Sequence, residues 1–289
     1  MARVSFADVK RVAIALGWIV LFAGVGIGIT IGLSALLPGW GGNLWFLFRN
    51  GLYEAIGFIV ATVVVGNLLN KYSWDRMGWH TQPGGLAPRL FRGVGLGALM
   101  AALAVGLAFV LDHTSVHSTG NWRIWPQVAL PIMLGLVLAA LAEELMFRGY
   151  PMRRLSEAIG APAAVAVFAV LFGLAHARNP NATVFSTINV ALAAVWLSFA
   201  FFSAGGVALA WGLHFGWNAG LSMLFDAPVS GYQFVDVPGV DYSVGRHAWI
   251  DGGAFGPEGG IVTTLVMIAG TAAILRFVPP LPQGEGVRG

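Results

Sequence analysis

Three short segments place polar, reactive side chains inside stretches that are otherwise apolar. They read EELMFR at 143–148, FGLAH at 172–176 and HFGWN at 214–218. A charge inside a bilayer is costly, so it usually marks a functional site or a buried partner. A single intramembrane His or Asn more often forms a hydrogen bond between helices. A chemical interpretation therefore requires several of these residues to converge.

The first segment combines a predicted ion pair with an unpaired carboxylate. Glu144 and Arg148 are four residues apart, so they share one face of a helix and can pair. Glu143 lies about 100° around the helix from Glu144 and has no local cation. An unpaired carboxylate can serve as a general base. The alternative is a structural Glu–Glu–Arg cluster at the membrane edge.

A predicted turn at Gly160 would bring the first two segments to one depth. Gly160 lies 17 residues after Glu143 and 16 residues before His176. In an antiparallel hairpin both side chains would then lie roughly 25 Å from the turn. This requires the helix to continue beyond Arg148, because the depths differ if the helix ends there.

A second predicted turn, at 205–206, would bring His214 and Asn218 into the same layer. One carboxylate, two imidazoles and an amide would then share a cavity. A Glu and a His together can deprotonate a water molecule, and a second His with an Asn can donate hydrogen bonds to an oxyanion. This set suits hydrolysis of an amide. A zinc ion bound by Glu143, His176 and His214 is the chemical alternative.

Other hydrolytic chemistries lack their residues in this sequence. The chain has no cysteine, which excludes disulfides, thiolate nucleophiles and Cys-based zinc sites. It contains neither the HExxH nor the GxSxG pattern. It also has no basic patch with interleaved aromatic residues, so we expect no nucleic-acid partner.

Composition indicates a membrane protein. Of the 289 residues, 57% are hydrophobic and 10% are charged, whereas soluble domains carry roughly 25% charged residues. Continuous apolar runs of about 20 residues predict transmembrane helices rather than barrel strands. The predicted fold is all-α, a single membrane domain over 1–289 with its catalytic core at about 127–225. The candidate spans lie near 12–37, 51–70, 92–111, 127–147, 161–177, 184–203, 207–225 and 261–279.

The loops between these eight spans predict the orientation. An even number of spans places both termini on one side of the membrane. Of the 16 Lys and Arg residues, four lie in loops on the other side, which leaves twelve on the side of the termini. Positive residues favour the cytoplasm, so we expect cytoplasmic N- and C-termini in a multi-pass protein of the cell membrane. The loop 226–260 is then external and contains five acidic residues but one Arg.

Together, the three motifs resemble the CPBP family of CAAX proteases and bacteriocin-processing (Abi) enzymes, which includes the Ras-converting CAAX endopeptidases. The family pattern is EExxxR, then FxxxH, then HxxxN or HxxxD, and the resemblance covers about 130–225. It implies that Glu143 activates a water molecule with help from His176, and that His214 and Asn218 form an oxyanion hole. Three further residues would support the site: Glu144, Arg148 and Phe172.

The resemblance implies an intramembrane endopeptidase that needs no cofactor, with zinc as the alternative. Its substrate would be a hydrophobic or lipidated peptide or protein, reached among membrane lipids. The family also contains non-catalytic immunity proteins and scaffolds. A proton-coupled transporter could use the same residues as a relay, but the chain has no evident internal repeat. We expect Glu54, in the second span, to bond to a neighbouring helix rather than to line the site.

Overall fold

The computed structural model describes residues 6–79, 85–234 and 236–278. The α-helices in these residues are α1 (Phe6–Leu36), α2 (Phe46–Ala61), α3 (Leu86–Asp112), α4 (Trp125–Phe147), α5 (Gly149–Ile159), α6 (Ala161–His176), α7 (Val184–Phe202), α8 (Gly206–Ala219), α9 (Ala248–Asp251) and α10 (Ile261–Phe277). π-Helical turns extend α2 over Thr62–Leu69 and α8 over Gly220–Leu224. The antiparallel strands β1 (Ser115–Ser118) and β2 (Val240–Ser243) pair, and 3₁₀ turns occupy Gly253–Phe255 and Pro257–Gly259.

Helices occupy every predicted span, so the predicted all-α bundle is confirmed. In the described part of the chain, five helical segments are long and apolar enough to cross a membrane, while α6 and α10 are shorter apolar helices. The long segments are Phe6–Leu36, Phe46–Leu69, Leu86–Asp112, Trp125–Ile159 and Val184–Phe202. The small β-ribbon joins the loop after α3 to the loop after α8. The protein is therefore an integral membrane helical bundle.

The helix that carries the first motif is interrupted at Arg148. α4 ends at Phe147, Arg148 has φ −111° and ψ −90°, and α5 begins at Gly149. Pro151 explains the break, because it has no N–H to donate to the carbonyl of Phe147 and its ring crowds that carbonyl. The chain continues as α5 and turns at Gly160, where φ is +87°. The predicted turn at Gly160 therefore forms and α5 packs against α6, but the predicted continuous helix through Arg148 does not form.

Glycines let the motif-bearing helices approach their neighbours closely. Between α2 and α4, a Cβ on Gly51 would lie 2.9 Å from the carbonyl oxygen of Gly135. Between α3 and α8, a Cβ on Gly93 would lie 2.7 Å from the carbonyl oxygen of Leu209. Three more glycines extend this second contact: Gly97, Gly212 and Gly216. Small residues allow such backbone contact between membrane helices, and here they fix the positions of α4 and α8.

Two buried clusters flank these crossings. The larger includes Trp196 of α7 and Trp217 of α8, with side chains from α3, α6 and α10. The other includes Phe22 of α1 and Phe58 of α2, together with residues of α4 and α5. α8 is also fastened directly to α4, because the indole N–H of Trp211 donates to the carbonyl of residue 137 at 2.8 Å. The core therefore holds the first and third motifs on adjacent helices.

The loop between α8 and α10 folds back against the bundle. Although the sequence predicts an acidic external loop, its residues Asp226, Asp251 and Glu258 are all buried. Asn189 of α7 fixes its end, since its Nδ2 donates to the carbonyl of Glu258 at 2.9 Å and to that of Gly260 at 2.8 Å. Irregular backbone at membrane depth occurs where it is buried in protein or lines a cavity. The segments of this loop around Asp226, Asp251 and Glu258 therefore pack into the bundle, while residues 243–249 are largely exposed.

Candidate active site

Glu143 lies between the two motif histidines. Its Oε2 is 4.0 Å from Nε2 of His176 and 3.8 Å from Nε2 of His214. The three side chains stay partly accessible, with 26% of Glu143, 17% of His176 and 10% of His214 exposed. Residues from α4, α6 and α8 therefore meet at one point, and gaps of this size suit a bridging water molecule.

Glu144 and Arg148 form a fully buried ion pair beside Glu143. Nη1 of Arg148 donates to Oε1 of Glu144 at 3.2 Å, and its Nη2 donates to the carbonyl of Ala194 at 3.3 Å. The same Oε1 is 2.9 Å from Nδ1 of His214. Because an ionised carboxylate only accepts, Nδ1 of His214 is the donor, and its Nε2 faces Glu143. Glu144 therefore orients His214, while Arg148 compensates the buried charge of Glu144.

Phe172 packs between Arg148 and His176. The centre of its ring is 4.6 Å from the guanidinium carbon of Arg148 and 4.6 Å from the centre of the His176 ring. Nδ1 of His176 is 2.8 Å from the carbonyl oxygen of Phe172. A carbonyl only accepts, so Nδ1 carries the hydrogen and Nε2 of the neutral ring is left as an acceptor. The FxxxH spacing thus reflects one helical turn that orients His176.

A cavity of about 30 Å³ adjoins the two histidines, which is room for a water molecule. It is lined by His176, His214 and Asn218, and also by Trp217 and Glu258. Asn218 thus faces the same cavity as both imidazoles. The structure therefore brings together all the residues for which a direct chemical role was predicted, while the roles themselves stay predictions.

Glu258 lines this cavity and was not among the predicted site residues. Its Oε1 accepts a hydrogen bond from the indole N–H of Trp217 at 2.9 Å. Its Oε2 accepts from the hydroxyl of Ser230 at 3.0 Å and from the backbone N–H of the same residue. In the sequence, the signal is a single Glu in the glycine-rich segment 256–260, just before an apolar span. No helical spacing relates it to the three motifs.

Glu54 of α2 also lies near the site. In the described part of the chain its side chain makes no hydrogen bond or ion pair, so the expected bond to a neighbouring helix is not found there. Its half-buried carboxylate instead interacts electrostatically with Glu143. α2 crosses α4 closely at Gly51 and Gly135, and Glu54 lies one turn beyond Gly51. This position brings Glu54 near Glu143 of α4.

A larger apolar cavity, of about 310 Å³, lies on a different side of α4. Its lining includes Trp74, Trp79, Leu141 and Leu145. The two leucines are each two residues away from Glu143, which places them about 200° around the helix from it. α4 therefore separates this cavity from the carboxylate of Glu143.

A zinc ion bound by Glu143, His176 and His214 would require three ligand atoms at bond lengths of about 2.0–2.2 Å. The Glu143 oxygen approaches each imidazole to about 4 Å. Among the described residues, however, these three atoms do not form a group whose members all lie within 4.8 Å of one another. As placed, the residues do not fit a zinc ion held by all three, and their spacing suits a hydrogen-bonded water molecule better.

Asp226, Asp236 and Asp241 do bring their oxygens within 4.8 Å of one another in the loop after α8. Oδ1 of Asp226 already accepts hydrogen bonds from Gln233 and from the backbone of Val237, each at 2.9 Å. Burial, with the charges of Asp236 and Asp241, raises the pKa of Asp226 to about 6. These contacts account for the cluster as part of the loop structure.

Fold and site together define a class: a helical integral membrane protein with a carboxylate and two imidazoles facing one another between its helices. Residues 125–220 match the family described as type II CAAX prenyl endopeptidase Rce1-like. This match contains all three motifs and supports the predicted membership of the CPBP family, although it covers about a third of the chain. It supports a CAAX-type intramembrane protease in general terms. No curated protein matches the chain significantly.

Proposed function

We propose that this protein is an intramembrane endopeptidase that hydrolyses a peptide bond by means of a water molecule activated by Glu143. The observation that carries the proposal is the position of Glu143, whose Oε2 lies 4.0 and 3.8 Å from two imidazole nitrogens. The adjacent carboxylate of Glu144 is fully buried and already bonded to His214 and Arg148. Glu143 is therefore the carboxylate that remains accessible to a water molecule and a substrate.

In this mechanism Glu143 accepts a proton from the water molecule while the oxygen of that water attacks the peptide carbonyl carbon. His176 assists, because its Nδ1–H is engaged by Phe172 and its Nε2 can accept a hydrogen bond from the same water. The proton is then delivered to the peptide nitrogen. The carbon–nitrogen bond breaks, and the products are a carboxylic acid and an amine.

His214 and Asn218 stabilise the oxyanion that forms on the attacked carbonyl. Asn218 lines the cavity and would donate from its side-chain amide. His214 can donate from Nε2 only as an imidazolium ion, because its Nδ1–H is directed to Glu144. The carboxylate oxygens of Glu144 and Glu143 lie 2.9 Å from Nδ1 and 3.8 Å from Nε2 of this ring.

The substrate class follows from the position of the site among apolar helices. A hydrophobic or lipidated segment of a peptide or protein can enter this environment from the surrounding lipid, whereas a highly charged segment would lose its hydration. The distribution of Lys and Arg supports cytoplasmic termini in a multi-pass protein of the cell membrane. No cofactor is part of the proposal.

Cleavage of a quenched-fluorescent peptide library by the purified protein in detergent tests this function. We expect activity in the wild type and a loss of at least about a hundredfold in Glu143→Gln, since general-base catalysis contributes 10²–10⁴-fold. A chelator should leave the activity unchanged. The control is Glu54→Gln, which removes a nearby carboxylate that interacts with Glu143 but does not contact the histidines, and it should lose far less activity than Glu143→Gln.

Other outcomes would support other functions. Activity retained in Glu143→Gln contradicts the mechanism, and activity abolished by a chelator and restored by zinc reassigns Glu143, His176 and His214 as ligands. A cellular phenotype that is kept in Glu143→Gln but lost when residues on a loop surface are changed would favour an immunity protein or scaffold. Substrate flux driven by a pH gradient in proteoliposomes would favour a transporter.

A further inference from the structure

The cavity beside the catalytic histidines ends at a buried carboxylate, that of Glu258. The side chain is 8% exposed and lines the cavity together with Trp217 and Ser230. Three hydrogen bonds satisfy it, from the Trp217 indole and from the hydroxyl and backbone N–H of Ser230. Among the described residues no Lys, Arg or His forms an ion pair with it. Neutral hydrogen-bond donors therefore surround the carboxylate, and no cation among the described residues neutralises it.

Several contacts hold this charge in place. Asn189 of α7 binds the carbonyls of Glu258 and Gly260, and the hydroxyl of Thr264 donates to Oδ1 of Asn189 at 2.7 Å. The hydroxyl of Thr263 donates to the carbonyl of Pro257 at 2.7 Å. The carboxylate therefore lies on a backbone segment anchored to two helices, and a substrate cannot easily displace it.

A fixed charge of this kind discriminates between substrates. The donors Trp217 and Ser230 could bind a neutral acceptor equally well, so satisfying them does not require a carboxylate. Buried charges without a cationic partner are rare because their desolvation is costly. In a site of low dielectric such a charge repels a second anion far more strongly than it would in water.

We infer that Glu258 forms an anion-excluding subsite, which accepts an uncharged or cationic substrate residue and rejects an acidic one. This inference rests on the proposed peptidase function and assigns part of its substrate specificity. Glu258 acts on substrate choice, while the proton transfers belong to Glu143 and His176. The selection would be local, because Glu258 would act on the one substrate position that comes nearest to this small cavity.

Paired peptides that differ only by Asp or Asn test the inference. One residue at a time, within two residues of the scissile bond, is made Asp or Asn, and kcat/KM is measured for each. At one position the wild type should prefer Asn by roughly ten- to a hundredfold, from the repulsion of two charges several ångströms apart. In Glu258→Gln the preference at that position should fall to about one. The preferences at the other positions should not change.

The matched control is Ser230→Ala, which removes one hydrogen bond from Glu258 but leaves its charge. It should retain the preference for Asn even if its overall activity falls. If Glu258→Gln does not fold, Ser230→Lys places a cation beside the carboxylate and should abolish the preference in the same way. Because each result is a ratio within one protein, a partial loss of folded enzyme does not alter it.

The failures are distinguishable. A wild type that cleaves Asp and Asn peptides equally at every position overturns the inference and leaves the peptidase function standing. An Asn preference that persists in Glu258→Gln or in Ser230→Lys also overturns it. A wild type that cleaves no peptide at all overturns the proposed function, and the subsite with it.

Discussion

At the scale of single residues, the site separates an accessible carboxylate from a buried one. Glu143 is partly exposed between two imidazole nitrogens, whereas Glu144 is fully buried and bonded to both Arg148 and His214. Adjacent residues of one helix project about 100° apart, so neighbouring glutamates can face different surroundings. The functions proposed for these two chemically identical side chains differ because their surroundings differ.

The buried pair predicts an asymmetric response to mutation. Arg148→Met keeps most of the side-chain volume but leaves Glu144 buried without a cation, so we expect a loss of stability of about 3–5 kcal/mol. Thermal unfolding in detergent measures this loss, and peptidase activity should fall with it, because Glu144 orients His214.

The double variant Glu144→Gln/Arg148→Met distinguishes the electrostatic cause from simple loss of packing. Removing both charges should restore part of the stability, since no uncompensated charge remains. Activity should stay low, because His214 no longer has a carboxylate on Nδ1. If the double variant is as unstable as Arg148→Met, the contribution of Arg148 is packing and the electrostatic account is wrong.

At the scale of elements, close helix crossings and one helix break determine where the motifs meet. α8 carries His214 and Asn218 and packs on α3 through glycines on both helices. α4 ends at Phe147, and the chain resumes as α5 before it reverses into α6. The three motifs lie on separate helices, so small shifts at these crossings would change the distances between their side chains.

Two separate alanine substitutions on α3, Gly93→Ala and Gly95→Ala, test the crossing of α3 and α8. A Cβ on Gly93 would lie 2.7 Å from the Leu209 carbonyl oxygen, whereas a Cβ on Gly95 meets no atom within 4 Å. We expect Gly93→Ala to cost about 1–3 kcal/mol of stability and to lower kcat, because the added methyl group pushes α8 away. Thermal unfolding and peptide cleavage measure both effects.

Gly95→Ala is the control, and it should be neutral or slightly stabilising, since alanine favours a helix by about 1 kcal/mol over glycine. Equal stability and activity in the two variants would show that the crossing tolerates separation. The positions of His214 and Asn218 would then depend on other contacts, such as the Trp211 bond to α4.

At the scale of the whole molecule, the end of the bundle that carries the loop after α8 is closed by chain that returns to the interior. The loop after α8 carries buried acidic residues and pairs its strand β2 with β1. Its 3₁₀ turns bring Glu258 to the cavity of the site. One loop thus contributes both to the end of the bundle and to the predicted substrate pocket.

The orientation in the membrane can be tested directly, because the chain contains no cysteine. Single cysteines at Asn121, between α3 and α4, and at Ser73, between α2 and α3, lie at opposite ends of the bundle. With cytoplasmic termini, an impermeant maleimide added to intact cells should label Asn121→Cys, and should label Ser73→Cys only after permeabilisation. The reverse pattern would show that the termini are external.

The sequence by itself predicted the helical membrane architecture and the residues of the candidate site on the three motifs. Apolar runs specify helices because the bilayer leaves the backbone no other partners, and all eight predicted spans contain helices. The spacing of four residues correctly placed Glu144 beside Arg148, because residues one turn apart share a helix face.

The tertiary structure alone decided the distances between groups from distant parts of the chain, and it added Glu258 to the cavity. The break at Arg148 did not separate Glu143 from His176, since the distance depends on how α6 packs and not on α4 being continuous. Glu258 reaches the cavity through irregular backbone, which has no periodicity to read. Local spacing specifies what lies on one helix, whereas contacts between helices and loops depend on the packing of the entire bundle.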